Sequence, residues 1–398
     1  MLRILLTSTV CVVSLSAATT AELDWPQYRG PHHTGISADA GLFAKLKDGP
    51  AVAWKANVGT GFAAIAIAKG RAYTVGNTDD QDSVCCFDAA TGKPAAGWKN
   101  FTFPAKLSAN GYEGGPNATP TCSNGKVYGL SKDGAAYCLD ATTGAVAWNV
   151  NLASSLGAEK PAWGFASSPL VLDGKVYLNV GKAGVCLDAA TGAVAWKSGP
   201  GKAGYATVVA LGTPANRQFA VFSADKLFML KSDGGILWDI PWKSKYDVNA
   251  ADPLIRGTQI CISTGYGIGS GMFDFASGTP KEIWKNQSLR TKMSPSVLIG
   301  DYIYGYDENM LRCVSWTDGT VKWEQKGIGQ GTLVANENRL VILSEKGELV
   351  IANASPDAFK EVTRGQVLTG RCWTPPAIAG GRIFCRNAKG DVVAVEIK

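Results

Sequence analysis

Short bursts of apolar residues, separated by Gly- and Asp-containing turns, run through most of the chain. Gly125-Lys126-Val127-Tyr128-Gly129-Leu130 is one such burst, and the turn Lys132-Asp133-Gly134 follows it. Ala136-Tyr137-Cys138-Leu139 comes next, then Asp140 to Gly144, then Ala145-Val146-Ala147-Trp148. Alternation at a period of two between Asp-Gly and Thr-Gly turns is the signature of β-hairpins. Val185 to Trp196 repeats the second half of this unit almost letter for letter, and Cys86 to Trp98 is a stretched version. Glycines at 92, 144, 192, 234, 278 and 319 stand where a tight turn needs a positive φ. Asp88, Asp140, Asp188 and Asp274 precede four of them and are placed to accept hydrogen bonds from the turn's N–H groups.

The repeat ends on a tryptophan: Trp54, Trp98, Trp148, Trp196, Trp238, Trp284 and Trp323. The gaps of 44, 50, 48, 42, 46 and 39 residues suit a four-stranded propeller blade. An eighth unit, Gly331 to Val362, keeps its strands but lacks the tryptophan. The last, Trp373 to Lys398, stops after three strands. The strand Ala51 to Val58 has no partners before it and supplies the missing fourth. The prediction is therefore an all-β fold, an eight-bladed β-propeller of four-stranded antiparallel blades over 51–398, closed by an N-terminal strand. Each tryptophan wedges between neighbouring blades, and closure removes the exposed sheet edges.

Two segments lie outside the repeat. Met1-Leu2-Arg3, the apolar run Ile4 to Leu15 and Ser16-Ala17-Ala18 have the layout of a signal peptide, expected over 1–18. Ser8-Thr9-Val10 matches the approach to a lipoprotein cysteine poorly, so lipidation at Cys11 is not expected and the mature chain is predicted to be periplasmic. No later segment has the length and apolarity of a transmembrane helix. Residues 19–50, with Asp24-Trp25-Pro26-Gln27-Tyr28-Arg29-Gly30-Pro31, form an extended leader expected to pack on the propeller.

Composition changes the picture by exclusion. The 39 basic and 33 acidic residues give a net charge of +6 with no basic run, which argues against nucleic acid as a partner. His32 and His33 are the only histidines; neighbours on an extended chain point apart, so a shared metal site or a Ser/His/Asp mechanism has little to draw on. Of ten cysteines, Cys86, Cys138, Cys186 and Cys313 hold equivalent repeat positions, too far apart to bridge, and read as small buried residues. No Cys-x-x-Cys-His haem motif occurs. Asn77 to Ser83 is acidic but lacks the glycine and closing glutamate of a calcium loop.

The Asp-x-x-Thr-Gly-x-x-x-Trp segments resemble the docking motif of the pyrroloquinoline-quinone (PQQ)-type propeller repeat family, over nearly the whole mature chain. The leader, Tyr246 to Asp252 and Gly370-Arg371-Cys372-Trp373-Thr374 are similar to stretches in exported bacterial members of unassigned activity. The resemblance implies two functions. One is a binding or scaffold protein of the envelope, akin to the propeller that assists outer-membrane barrel assembly. The other is a quinone-dependent alcohol or sugar dehydrogenase, whose pocket would hold PQQ with calcium on carboxylates and amides, an aspartate base, a tryptophan floor and an adjacent-cysteine disulfide. Cys85-Cys86 is the candidate for the last feature. Fold alone does not choose between the two.

The segments entering the innermost strands differ most between repeats, which makes the central funnel the expected site. Candidates there are Glu113, Asn117, Trp163, Tyr205, Asp247, Asn249, Asp252, Arg290, Lys292, Arg371 and Trp373. Glu113, Asn249 and Asp252 would suit a hard cation, Arg290, Lys292 and Arg371 a carboxylate, and Trp163 or Trp373 a flat ring. The favoured expectation is a monomeric, non-catalytic binding protein without cofactor, whose partners are envelope proteins or a small ligand at the funnel.

Overall fold

The computed structural model describes residues 23–39, 41–43, 46, 48–107 and 114–398; the predicted signal peptide, Cys11 and Glu113 lie outside them. Eight sheets form, each with a core of consecutive antiparallel strands. Blade 1 spans residues 66–104, blade 2 121–151, blade 3 170–197, blade 4 209–241, blade 5 254–286, blade 6 297–325 and blade 7 332–366. Blade 8 takes three strands from residues 377–397, and Pro50–Asn57 pairs antiparallel with Asp391–Ile397 as its fourth. The orphan N-terminal strand thus closes the ring.

The turn chemistry follows the sequence. Asp188 Oδ1 accepts from Ala190 N and Thr191 N at 3.1 Å, and Asp140 and Asp88 do the same in their turns. Gly192 sits at φ 75°, and a Cβ there would come within 2.8 Å of the Trp148 ring of the preceding blade. The same glycine therefore makes the turn possible and leaves room for the neighbour's indole. Trp148 Nε1 donates to Ala189 O at 2.9 Å, Trp54 to Ala89 O at 3.0 Å and Trp284 to Trp316 O at 2.9 Å, each into the next blade. Truncating Trp148, only 8% exposed, to alanine is expected to cost about 3–5 kcal/mol, read from the urea midpoint. Trp148→Phe, which keeps a ring but leaves the Ala189 carbonyl unpaired, should cost about 1–3 kcal/mol.

Buried apolar residues cluster between blades, as where Tyr128, Cys138 and Trp148 of blade 2 meet Val176 and Leu187 of blade 3. A row of three residues recurs across the strands of several blades. Tyr128, Cys138 and Trp148 are register partners, as are Tyr177, Cys186 and Trp196, and Tyr304, Cys313 and Trp323. These cysteines are thiols, and burial pushes Cys186 and Cys313 up to about 11, where a thiol is inert at neutral pH. Cys85 and Cys86 point to opposite faces of one strand and enter different cores. They do not pair.

Two blades depart from the repeat. Trp98 precedes its outer strand Phe101–Pro104 and stacks edge-on against Tyr73 of its own blade at 5.5 Å. In blade 7, Thr363 occupies the register position of the missing tryptophan, opposite Ile351. There the leader compensates: Gly49 packs against Thr363, and Leu42, 3% exposed, joins the core shared by blades 7, 8 and 1.

The leader also crosses the propeller axis. Trp25 bridges Ile67 in blade 1, and Cys122 N of blade 2 donates to Pro26 O at 2.7 Å. The Arg29 guanidinium donates to Ser296 O beside blade 6 at 2.8 Å. Ile36–Ser37 then pairs in parallel with the innermost strand of blade 7, and Asp39 Oδ2 accepts from Gly381 N in blade 8 at 2.7 Å. Most of these contacts are made at the end of the channel where the innermost strands turn into their hairpins. The other end, among the described residues, holds a cavity.

Candidate functional site

At the other end of the channel the segments that lead into the innermost strands enclose a cavity of about 520 Å³, within the range of small-molecule sites. Its wall is aromatic and basic. Phe62, Trp163, Tyr205, Tyr266 and Trp373 line it with Lys106, Lys132, Lys160 and Lys292, and Tyr28 of the leader contributes from below. Among the described residues no aspartate or glutamate lines it.

The wall is held from behind. Asn117 Nδ2 donates to Trp163 O at 3.2 Å, and Trp163 N donates to the Tyr205 hydroxyl at 3.3 Å, which links three successive inter-blade segments. Trp373 stacks on Phe62 with centroids 5.9 Å apart and donates from Nε1 to Glu345 Oε1 at 3.2 Å. Lys292 Nζ is 2.6 Å from Glu308 Oε2, whose other oxygen accepts from Tyr266 N. Lys160 pairs with Asp133, and Lys132 donates to the Lys106 carbonyl. The carboxylates Asp133, Glu308 and Glu345, outside the lining itself, thus hold Lys160, Lys292, Tyr266 and Trp373 in place.

Five of the eleven sequence candidates come together at this cavity: Asn117, Trp163, Tyr205, Lys292 and Trp373. The others are placed elsewhere. Asn249, expected as a cation ligand, is fully buried; its Nδ2 donates to Ser223 O, Ala224 O and Trp242 O, and its Oδ1 accepts from Thr264. Asp252 accepts from Thr207 N at 2.8 Å through Oδ1 and faces Arg29 at 3.9 Å through Oδ2. Burial pushes its carboxyl up to about 6 against the opposing effects of Arg29 and of the Thr207 bond. Arg290, expected to meet a carboxylate ligand, is held by Asp307 in two bonds of 2.7 and 2.8 Å. Asp247 pairs with Lys202 at 3.3 Å, and Arg371 lies over the Trp373 ring at 4.7 Å. The predicted set is therefore split between a funnel wall and structural staples. Glu113 lies outside the described residues.

The sequence reading missed Tyr28, Phe62, Lys106, Lys132, Lys160 and Tyr266. Lys132 and Tyr266 sit in hairpins between second and third strands, which open on the same face as the inter-blade segments. Attention to both loop sets of one propeller face would have found them.

Comparison with known proteins bears on the fold and the family. No curated protein matches the chain. Among solved structures, BamB from Moraxella catarrhalis is similar at 16% identity and a TM-score of 0.62, over 88% of this chain and 98% of that one. Quinohemoprotein alcohol dehydrogenase from Comamonas testosteroni is similar at 14% identity and 0.69, over 94% and 80%, and a europium-containing methanol dehydrogenase at 14% and 0.66, over 92% and 90%. At such identities these likenesses speak for the fold alone. A model of PQQ-type repeats, described as outer membrane protein assembly factor BamB, matches residues 95–325 and 307–398. With that match over most of its length, and eight blades locked by repeated tryptophans, the chain belongs to the PQQ-like β-propeller family.

Proposed function

We propose that the chain is a binding or scaffold propeller of the cell envelope, with the funnel as its ligand- or partner-docking site. The observation that carries this reading is the wall itself: among the described residues it offers aromatic faces, hydroxyls, amides and four lysines, but no carboxylate. A hard cation needs anionic oxygen ligands, and removal of a proton from an alcohol needs a base. Among the described residues, the candidates for the donor set of a calcium-bound quinone are engaged otherwise. Asn249 donates to backbone carbonyls, Asp252 faces Arg29, and Cys85 and Cys86 diverge.

Placement in the envelope is supported by the signal-like N-terminus and by kinship with a barrel-assembly propeller. No helix among the described residues is long and apolar enough to cross a membrane. The test is reconstitution with PQQ and calcium followed by dye-linked oxidation of alcohols and sugars. No spectral shift and no turnover are expected. Turnover that depends on the quinone would replace this reading with the dehydrogenase one.

A further inference from the structure

We infer that the funnel binds an acidic saccharide, a short run of sugar rings carrying carboxylate or sulfate groups. The inference rests on the reading of the funnel as a binding site and names its ligand class. Four features of the wall lead to it.

The first is charge. Lys106, Lys132, Lys160 and Lys292 line one cavity, and the acids that pair with two of them, Asp133 and Glu308, are not among its lining residues. A cationic ligand is repelled by such a site, and an anion is drawn to it. A neutral sugar could use the lining hydroxyls and amides but would gain nothing from the lysine charges. The ligand therefore brings the negative charge itself.

The second is the kind of cation. Lysine acts as a mobile point charge, whereas arginine imposes a planar fork. Arginines are not among the lining residues: Arg290 is held by Asp307, Arg29 by carbonyls of its own leader and Ser296, and Arg371 lies over the Trp373 ring. Lysines suit charges spaced along rings at variable orientation.

The third is how the aromatics are arranged. Trp163, 39% exposed, and Tyr266 present ring surface along the wall, and the strip continues outward to Tyr246, 55% exposed, beneath Lys245. Tyr246 and Tyr266 meet at 83°, and Phe62 and Trp373 already stack on each other. The apolar face of a sugar ring needs only one such platform.

The fourth is the polar complement. Tyr28, Asn117, Ser168, Thr207 and Gln330 place hydroxyl and amide groups among these platforms. Such groups both donate and accept, which is what a ligand rich in hydroxyls requires.

The test uses the full mature chain with trigalacturonate and a sulfated trisaccharide as the two acidic sources. Maltotriose serves as the neutral control, trimesate as the flat aromatic anion and a polyglutamate peptide as the acidic chain. Binding is read by calorimetry and indole fluorescence at low and high salt. An acidic trisaccharide should bind, weaken as salt rises, and outcompete every control; the two sources tell carboxylate from sulfate. Lys106→Gln combined with Lys160→Gln should weaken it by on the order of tenfold or more, and Trp163→Ala should remove the fluorescence change. Unchanged circular dichroism in these variants excludes misfolding as the cause. Preferential binding of trimesate or polyglutamate overturns the saccharide assignment and leaves the funnel a binding site. Failure of every probe, or affinity indifferent to the lysines, also overturns the assignment. Quinone-dependent turnover is a separate result, and it would remove the binding reading itself.

Discussion

Replacement of Arg386 by methionine is expected to lower stability by about 3–5 kcal/mol, the largest effect of any single substitution at the ring seam. Arg386 belongs to blade 8 and is wholly buried. Its Nη1 donates to Ala63 O at 2.9 Å, Thr74 Oγ1 at 2.9 Å and Val75 O at 2.7 Å, and its Nη2 to Gly59 O at 3.1 Å. All four acceptors lie in blade 1 or in the segment entering it. Burial depresses the guanidinium to about 10, with Cys85 and Asp82 opposing, so it stays charged at neutral pH. Methionine would fill much of the volume yet take a charged donor from four acceptors, three of them buried, and leave Ala63 O only its longer bond from Thr74 Oγ1 at 3.3 Å. Lysine should recover only part, since its three donors cannot span the same fork. Equilibrium urea unfolding measures the loss. A midpoint unchanged from wild type would show that the seam is held by strand pairing alone.

How much of this was legible in the sequence divides along one line. Blade number, turn residues and closure were readable because each rests on local chemistry repeated many times. Asp188 and Gly192 specify a turn wherever they occur, and Trp148 specifies a wedge. The seam staple was not readable. Arg386 ends a five-residue strand that another arginine, Arg382, begins, and its partners lie over 300 positions away in the chain. The funnel was half readable for a related reason. Trp163 and Trp373 stand out as aromatics outside the repeat, but whether a polar residue faces the cavity depends on packing between segments distant in sequence. Asn249 and Arg290 look like ligands in a string of letters, and carbonyls and a carboxylate from their surroundings had already claimed them. That the leader packs on the propeller was expected, but where it packs was not readable for the same reason. Only the assembled ring sets Gly49 against Thr363 and draws Leu42 into the core shared by blades 7, 8 and 1.

The leader's crossing of the channel makes a prediction in which pH decides the size of the effect. Arg29, 4% exposed, donates to His33 O, Thr34 O and Ser296 O at 2.8–3.0 Å and faces Asp252, whose side chain is 1% exposed, at 3.9 Å. Asp252 titrates at about 6 in the folded chain, above its usual value of 3.8, because burial outweighs the help of Arg29. A folded-state pKa that is raised means the associated stability is present below the unfolded value and lost as pH rises through about 6. Arg29→Met removes the opposing charge, so the penalty for ionising Asp252 grows. At about pH 8 the variant should be less stable than wild type by about 3–5 kcal/mol, an uncompensated buried carboxylate being the main cause. Near pH 5 Asp252 is largely protonated in the variant, and the deficit should shrink to the cost of the three unpaired carbonyls. Adding Asp252→Asn should restore part of the stability at the higher pH and little at the lower. A deficit equal at both values, or no recovery in the double variant, would mean that Arg29 works only as a clamp on the leader's own backbone.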